Sequence, residues 1–245
     1  MTGYSRVMSH SKVKSLQGNG KTTSSRRGVD GESPTVGIKE AGKAARREAI
    51  VNAAERLVRD CGGTDFSMLE LARLAGVSPA TPYNLFGTKS GILYALLNRS
   101  ADRMFSVAAS LPSATSPEVG TMAVADTLAH ILTSDPVFYR PLYGFLMGVP
   151  DREWRPPFIE RARAFWLSAI PTEEERPFGL SRSRIAQLLV VQALGCIEMW
   201  VHGEIEDSAL AHELKRPVAA ILLGLTHDAD ASLHLRQTLM TSDAD

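Results

Sequence analysis

Residues 67–93 read SMLELARLAGVSPATPYNLFGTKSGIL, and this stretch decides the fold. Ser67 stands before an apolar run with Glu70 three positions on, the spacing of a capping box, which predicts a short helix reaching Leu74. Gly76 supplies a turn. Ser78, with Pro79 at the first helical position, predicts a second short helix to about Phe86. Thr88 or Ser90 then opens a longer one carrying Ile92, Leu93, Leu96, Leu97 and Met104. Leu71, Leu74 and Val77 form the small apolar face that joins the two short helices, Ala72 lets them approach, and Phe86 and Leu93 anchor the second. Two short helices about a glycine turn are the layout of a helix-turn-helix, whose second helix enters the DNA major groove. Tyr83 and Lys89 lie within reach of phosphates, and the helix starts at Ser67 and Ser78 add amide donors.

Upstream, Ala45, Ile50, Ala53, Ala54, Leu57 and Val58 recur at three- and four-residue spacing, which predicts a helix from Ala41 that stops at Cys61-Gly62-Gly63. Residues 1–38 are rich in Ser, Gly, Thr and Lys without apolar periodicity, and read as a disordered basic arm. The 245 residues balance 27 Lys+Arg against 27 Asp+Glu, but the balance is uneven along the chain. Residues 1–48 carry ten basic and four acidic side chains, a net of +6, whereas residues 106–245 carry eleven and eighteen, a net of −7. A basic head suits a polyanion, and the acidic remainder does not.

The string from Arg46 to Met104 resembles the DNA-binding domain of the TetR (tetracycline repressor) family. In that family an opening helix is followed by T/S-hydrophobic-x-x-[IL]-A-x-x-A-G-V-S and a reading helix ending Y-x-x-F-x-x-K-x-x-L. Here the first is Ser67 to Ser78 and the second is Tyr83, Phe86, Lys89 and Ile92-Leu93. The resemblance implies phosphate contacts from Ser67 and Lys89, and groove-facing positions for Pro79, Ala80 and Asn84, with Ser78 at the head of the helix and Thr81 near the backbone. Tyr83 matches a position that packs on the DNA backbone and touches a thymine methyl; Asn84 suits a bidentate pair with adenine. Arg46 and Arg47 are placed for backbone or minor-groove contacts. Two positions depart from the pattern: Pro82 replaces an apolar Leu, and Leu85 replaces an aromatic or His. The docking mode carries over better than the bases read.

The rest reads as all-helical, with segments near 117–133, 136–147, 153–170, 182–204 and 207–228, and no period-2 strand or repeat. The expected organisation is an arm over 1–38, a three-helix DNA-binding domain over 39–88, a larger helical ligand-binding and dimerisation domain over 89–228, and a tail over 229–245. The segments near 182–204 and 207–228 are apolar around most of their circumference, so one face needs a partner, and a homodimer through a four-helix bundle supplies it. Burial within a monomer is the competing account of the same pattern.

In the family this domain binds a small molecule that releases DNA. Phe138, Tyr139, Tyr143, Trp154, Phe158, Trp166, Gln192 and Trp200 are the residues for such a pocket, although ordinary core uses the same aromatics. Arg140, Arg152, Arg155, Arg161 and Arg163 lie close together in sequence; a solvated face partly paired with Asp151, Glu153 and Glu160 is the favoured reading, and an acidic or acyl-thioester ligand is the alternative. No cofactor is expected. Glu198, His202 and His212 lack the companions of a metal site, and no catalytic motif is present, so no enzyme is expected. No apolar run reaches the roughly 18 residues of a membrane span, nor is there a secretory signal, so a cytoplasmic protein is expected. The expectation is a ligand-released repressor on a palindromic operator. The alternative is a helical small-molecule-binding protein or enzyme with a vestigial DNA-binding head.

Overall fold

The computed structural model describes residues 34–112, 116–170, 180–226 and 229–240, which form ten α-helices and, among the described residues, no strand. In order they are α1 (Pro34–Cys61), α2 (Met68–Leu74), α3 (Ala80–Phe86), α4 (Lys89–Ser110), α5 (Pro117–Ser134), α6 (Pro136–Gly148), α7 (Arg155–Leu167), α8 (Arg182–Val201), α9 (Leu210–Leu223) and α10 (Ala229–Met240). Residues 1–33 of the expected arm lie outside the described residues. Helix α1 already runs from Pro34, seven residues ahead of Ala41, because proline is at home in a first helical turn where its missing N–H is no loss.

The short elements start where their side chains cap them. Ser67 Oγ accepts from the Glu70 amide at 3.0 Å to open α2, and Thr88 Oγ1 accepts from the Gly91 amide at 3.1 Å to open α4. Ser78 differs from expectation: its hydroxyl pairs with that of Thr81 at 2.8 Å, and α3 begins after Pro79. Pro82 is tolerated because it lies in the first turn of α3, where amides have no intrahelical acceptor.

Helices α1 and α3 pack on α4 while α2 packs on α1 and α3, and α4 continues to meet α5, α6 and α7. One apolar core runs through both parts, from Ile50 and Leu71 to Trp166, Trp200 and Leu214. Helix α8 packs against α6, α7 and α9 through Ile185, Leu189, Val190, Ala193, Ile197 and Trp200. By length and composition α8 could cross a membrane, contrary to the expectation that no segment qualifies; Gln192 and Glu198 interrupt the run without lowering its average enough. Part of its apolar surface is used against the neighbouring helices, while Leu188, Val191 and Met199 stay exposed.

In α9, Pro217 removes the amide that would bond the Glu213 carbonyl, and the Cys196 thiol of α8 donates to that carbonyl instead at 3.3 Å. Residues 229–240, expected as part of a tail, form α10 and pack on α9. Leu235 is fully buried there, and the helix exists because α9 offers it an apolar seat.

Candidate functional sites

The α2–α3 unit is built from backbone geometry outward. Gly76 takes φ of 66°, its amide bonds the Arg73 carbonyl at 3.2 Å, and the Val77 amide bonds the Ala72 carbonyl at 3.0 Å. This pair of bonds is a Schellman motif, and it closes α2 in a fixed direction. The end of α3 is held on three sides. Phe86 is buried; Arg47 of α1 donates to the Leu85 carbonyl and lies 4.2 Å from the centre of the Phe86 ring. Gly91 of α4 comes so near that a Cβ there would be 2.3 Å from the Phe86 carbonyl oxygen and 3.3 Å from the Trp154 ring. Only glycine lets α4 approach the end of α3 this closely.

What remains outward on α3 and its flanks is Ser78, Pro79, Ala80, Tyr83 and Asn84, all exposed, with Tyr83 at 53%. Thr81 is half-buried. Lys89 stands at the following helix start with its Nζ 4.7 Å from the Phe66 ring centre, a cation held by an aromatic face yet still partly open to solvent. Ser67 and Arg46 are exposed as well, whereas Arg47 is committed to α3 and is not a free cation. An open groove between α2 and α3 is lined by Ser67, Leu69, Glu70, Arg73, Val77 and Pro79. Arg73 and the 66%-exposed Leu69 were not anticipated; an apolar and a basic side chain left outward on the supporting helix was the signal.

A second site lies inside the body. A small cavity of about 50 Å³ lies between α4 (Ala101, Met104), α5 (Leu128), α6 (Tyr143), α7 (Phe158, Arg161, Ala162, Phe165, Trp166) and α8 (Val190, Ala193, Leu194, Ile197). Of the anticipated ligand residues, Tyr143, Phe158 and Trp166 line it. The others serve elsewhere. Phe138 lies under the Arg59 guanidinium, 4.4 Å from its ring centre, and Trp154 covers Gly91 beside an external groove. Gln192 donates to Cys196, and Tyr139 is buried against Phe138. Trp200 donates its indole N–H to Asp207 at 2.7 Å, and Arg140 bonds both that carboxylate and the Trp200 carbonyl.

The arginines do not converge. Arg140 is spent on α8 and Asp207, Arg155 on the Leu146 carbonyl, and Arg163 on Glu160 and Ser183, while Arg152 is exposed. Only Arg161 reaches the cavity, and it pairs with Asp102 of α4. Separate ion pairs and backbone contacts thus hold these arginines, in line with the favoured reading rather than with the acidic-ligand alternative. Burial pushes the Tyr143 hydroxyl pKa up, so the one phenol in the lining stays un-ionised.

Between the two sites sits a buried carboxylate. Glu55 of α1 accepts from Arg59 at 2.8 Å, from Arg99 at 2.8 Å and from Arg103 at 3.0 Å, the last two on α4. Arg59 also reaches Asp135 at 2.7 Å, the residue that caps α6 through the Phe138 amide. Burial alone would raise the Glu55 pKa; hydrogen bonds from Arg103, Arg59 and Arg99 outweigh it and hold the group at about 2. The cluster ties the head helix to α4 and α6 at one point.

No family model matches the chain. The HTH-type transcriptional regulator BetI of Rhizobium meliloti (strain 1021) is 42% identical over 64 residues, covering 26% of this chain and 30% of BetI, so the chain matches under a third of that relative's length. A TetR transcriptional regulator from Rhodococcus sp. RHA1 superposes with a TM-score of 0.63 at 21% identity, covering 75% of this chain and 98% of that one. Thermus thermophilus FadR, a TetR family transcriptional repressor solved with lauroyl-CoA, gives 0.56 at 21% identity, over 75% and 97%. The chain has the fold of the TetR-type transcriptional regulators.

Proposed function

We propose that this chain is a TetR-type DNA-binding regulator that acts as a repressor and leaves a palindromic operator when a small molecule fills the body cavity. The observation that carries the reading is the outward face of α3, with Tyr83 and Asn84 exposed between Ser67 and Lys89 on a backbone held from three sides. In this reading the head is residues 39–88 and the body 89–228. Ser67, Ser78, Thr81, Lys89 and Arg46 meet phosphates, while Pro79, Ala80, Tyr83 and Asn84 face the groove. A rigid reading face matters because base contacts discriminate only when their geometry is fixed.

The active form in this reading is a homodimer. Leu188, Val191 and Met199 of α8 are 42%, 60% and 45% exposed, and Gly195 between them leaves room for close helix approach. An apolar stripe of this kind costs free energy in water and is relieved by a symmetric copy. Ala220 and Gly224 give α9 an equally small exposed edge to complete a four-helix contact. Two reading helices would then enter major grooves about 34–36 Å apart.

Release follows from how α4 is shared. Its Ala101 and Met104 border the cavity, while its Gly91 touches the end of α3 and its Arg99 and Arg103 hold Glu55 of α1. A ligand that widens the gap between α4 and α7 favours a state with altered head spacing, and only this differential affinity shifts the population off DNA. The lauroyl-CoA complex of FadR favours small-molecule control of this fold.

The test is operator binding by fluorescence anisotropy, with the chain's own upstream DNA, across a range of salt. Affinity should fall steeply as salt rises, and Lys89→Ala should weaken binding on all sequences alike. Tyr83→Ala should weaken the operator more than random DNA. Unchanged operator affinity in both variants refutes the docking, and the absence of any specific complex favours a helical binding protein with a vestigial head.

A further inference from the structure

We infer that the ligand of the body cavity is an uncharged lipophilic molecule with a single acceptor oxygen, which Arg161 recognises. The inference rests on the regulator reading only for the consequence of binding, not for the binding itself. Three observations on the lining carry it.

First, no Asp or Glu lines the cavity, so nothing there offsets a buried cation; eleven of its thirteen lining side chains end in hydrocarbon, thioether or indole. Burying an unpaired charge in such surroundings is costly. Second, the one cation in the lining is already neutralised. Arg161 pairs with Asp102, and its guanidinium lies 5.6 Å from the centre of the Phe105 ring. An anionic ligand would have to compete with that carboxylate or join it, and two anions on one guanidinium repel. Third, Arg161 still has something to give. Its Nε is shielded from solvent and has no hydrogen-bond partner, an N–H donor left unmet on a side chain that lines the cavity. A buried unmet donor is a cost that a ligand carbonyl removes by accepting from it. The un-ionised Tyr143 hydroxyl adds a second polar group without adding charge.

Ketone, ester and lactone oxygens share this chemistry. At about 50 Å³ the cavity is smaller than the usual small-molecule site, so a slender aliphatic body that parts α4 from α7 as it enters suits it.

Isothermal titration of the full chain with four probes of one chain length decides the matter: 2-octanone, octanoate, octyltrimethylammonium and octane. The ketone should bind tighter than either ion, with about tenfold of its affinity owed to the one hydrogen bond gained. Arg161→Met, which keeps the side chain's bulk and removes its donors, should weaken the ketone about tenfold while leaving octane unchanged. Tightest binding by octanoate or by the ammonium, or no saturable binding by any probe, overturns the inference on the unaltered protein. Undiminished ketone affinity in Arg161→Met overturns the role of Arg161. Operator release is read separately: saturable ketone binding with the DNA complex intact supports the ligand class and counts against the regulatory reading.

Discussion

Replacing Glu55 by Gln keeps the shape of the side chain and removes the charge that three guanidinium groups share. The gap between its ordinary pKa of 4.5 and about 2 in the folded chain measures how strongly the fold favours the carboxylate. At 1.36 kcal/mol per unit that gap corresponds to about 3 kcal/mol, and solvent around the exposed ends of Arg59 and Arg103 reduces it to about 2 kcal/mol. Because the folded pKa is depressed, this stability is fully present above pH 4.5 and is lost as pH falls toward 2. Glu55→Gln should therefore lose about 2 kcal/mol at pH 7, or about 4–8 °C in Tm, and the gap from the parent should close in acid. Urea unfolding at pH 7, 5 and 3 measures both. Glu48→Gln is the control, since Glu48 also touches Arg99 but its side chain is 66% exposed, and it should cost under about 0.5 kcal/mol. A Glu55→Gln protein as stable as the parent at pH 7, or a gap that persists unchanged at pH 3, would refute the reasoning.

Other substitutions probe separate parts of the structure. Gly91→Ala should cost about 3 kcal/mol and impair operator binding, because the new Cβ meets the Phe86 carbonyl, a backbone atom that cannot swing aside; Gly148→Ala, with open space around it, should be near neutral in the same denaturant titration. Val191→Glu should raise the dimer Kd about a hundredfold by sedimentation, since symmetry places the charge in the interface twice; an unchanged dimer would move the interface off α8. Thr88→Ala should cost about 1 kcal/mol in urea by uncapping α4, and a loss far below that would mean the cap is dispensable.

The helix-turn-helix was legible because its instructions are local. Ser67, Gly76 and Thr88 each act on backbone groups within three or four residues, so their consequences can be read without knowing what lies across the core. Helix α10 was not legible for the opposite reason. Leu235 and Leu239 are too few to announce a helix, and only the surface of α9 makes their spacing count. Arg47 shows the same limit in a site residue: its position suited DNA, but a carbonyl at the end of α3, thirty-eight residues away in sequence, takes its guanidinium.

The cavity was half legible, and the missing half is instructive. A search for aromatics finds walls such as Phe158 and Trp166 but cannot find the space between them. That space exists where Ala101, Ala162 and Ala193 leave volume unfilled, and alanines carry no signal in a sequence. Adjacency in sequence misled in the other direction. Arg161 and Arg163 are two apart on α7, and side chains two apart on a helix point to opposite sides. One therefore reaches the cavity while the other bonds Glu160 and Ser183. The chemistry of the ligand thus depends less on how many arginines the segment holds than on which one the helical repeat turns inward, and on Asp102 having already met its charge.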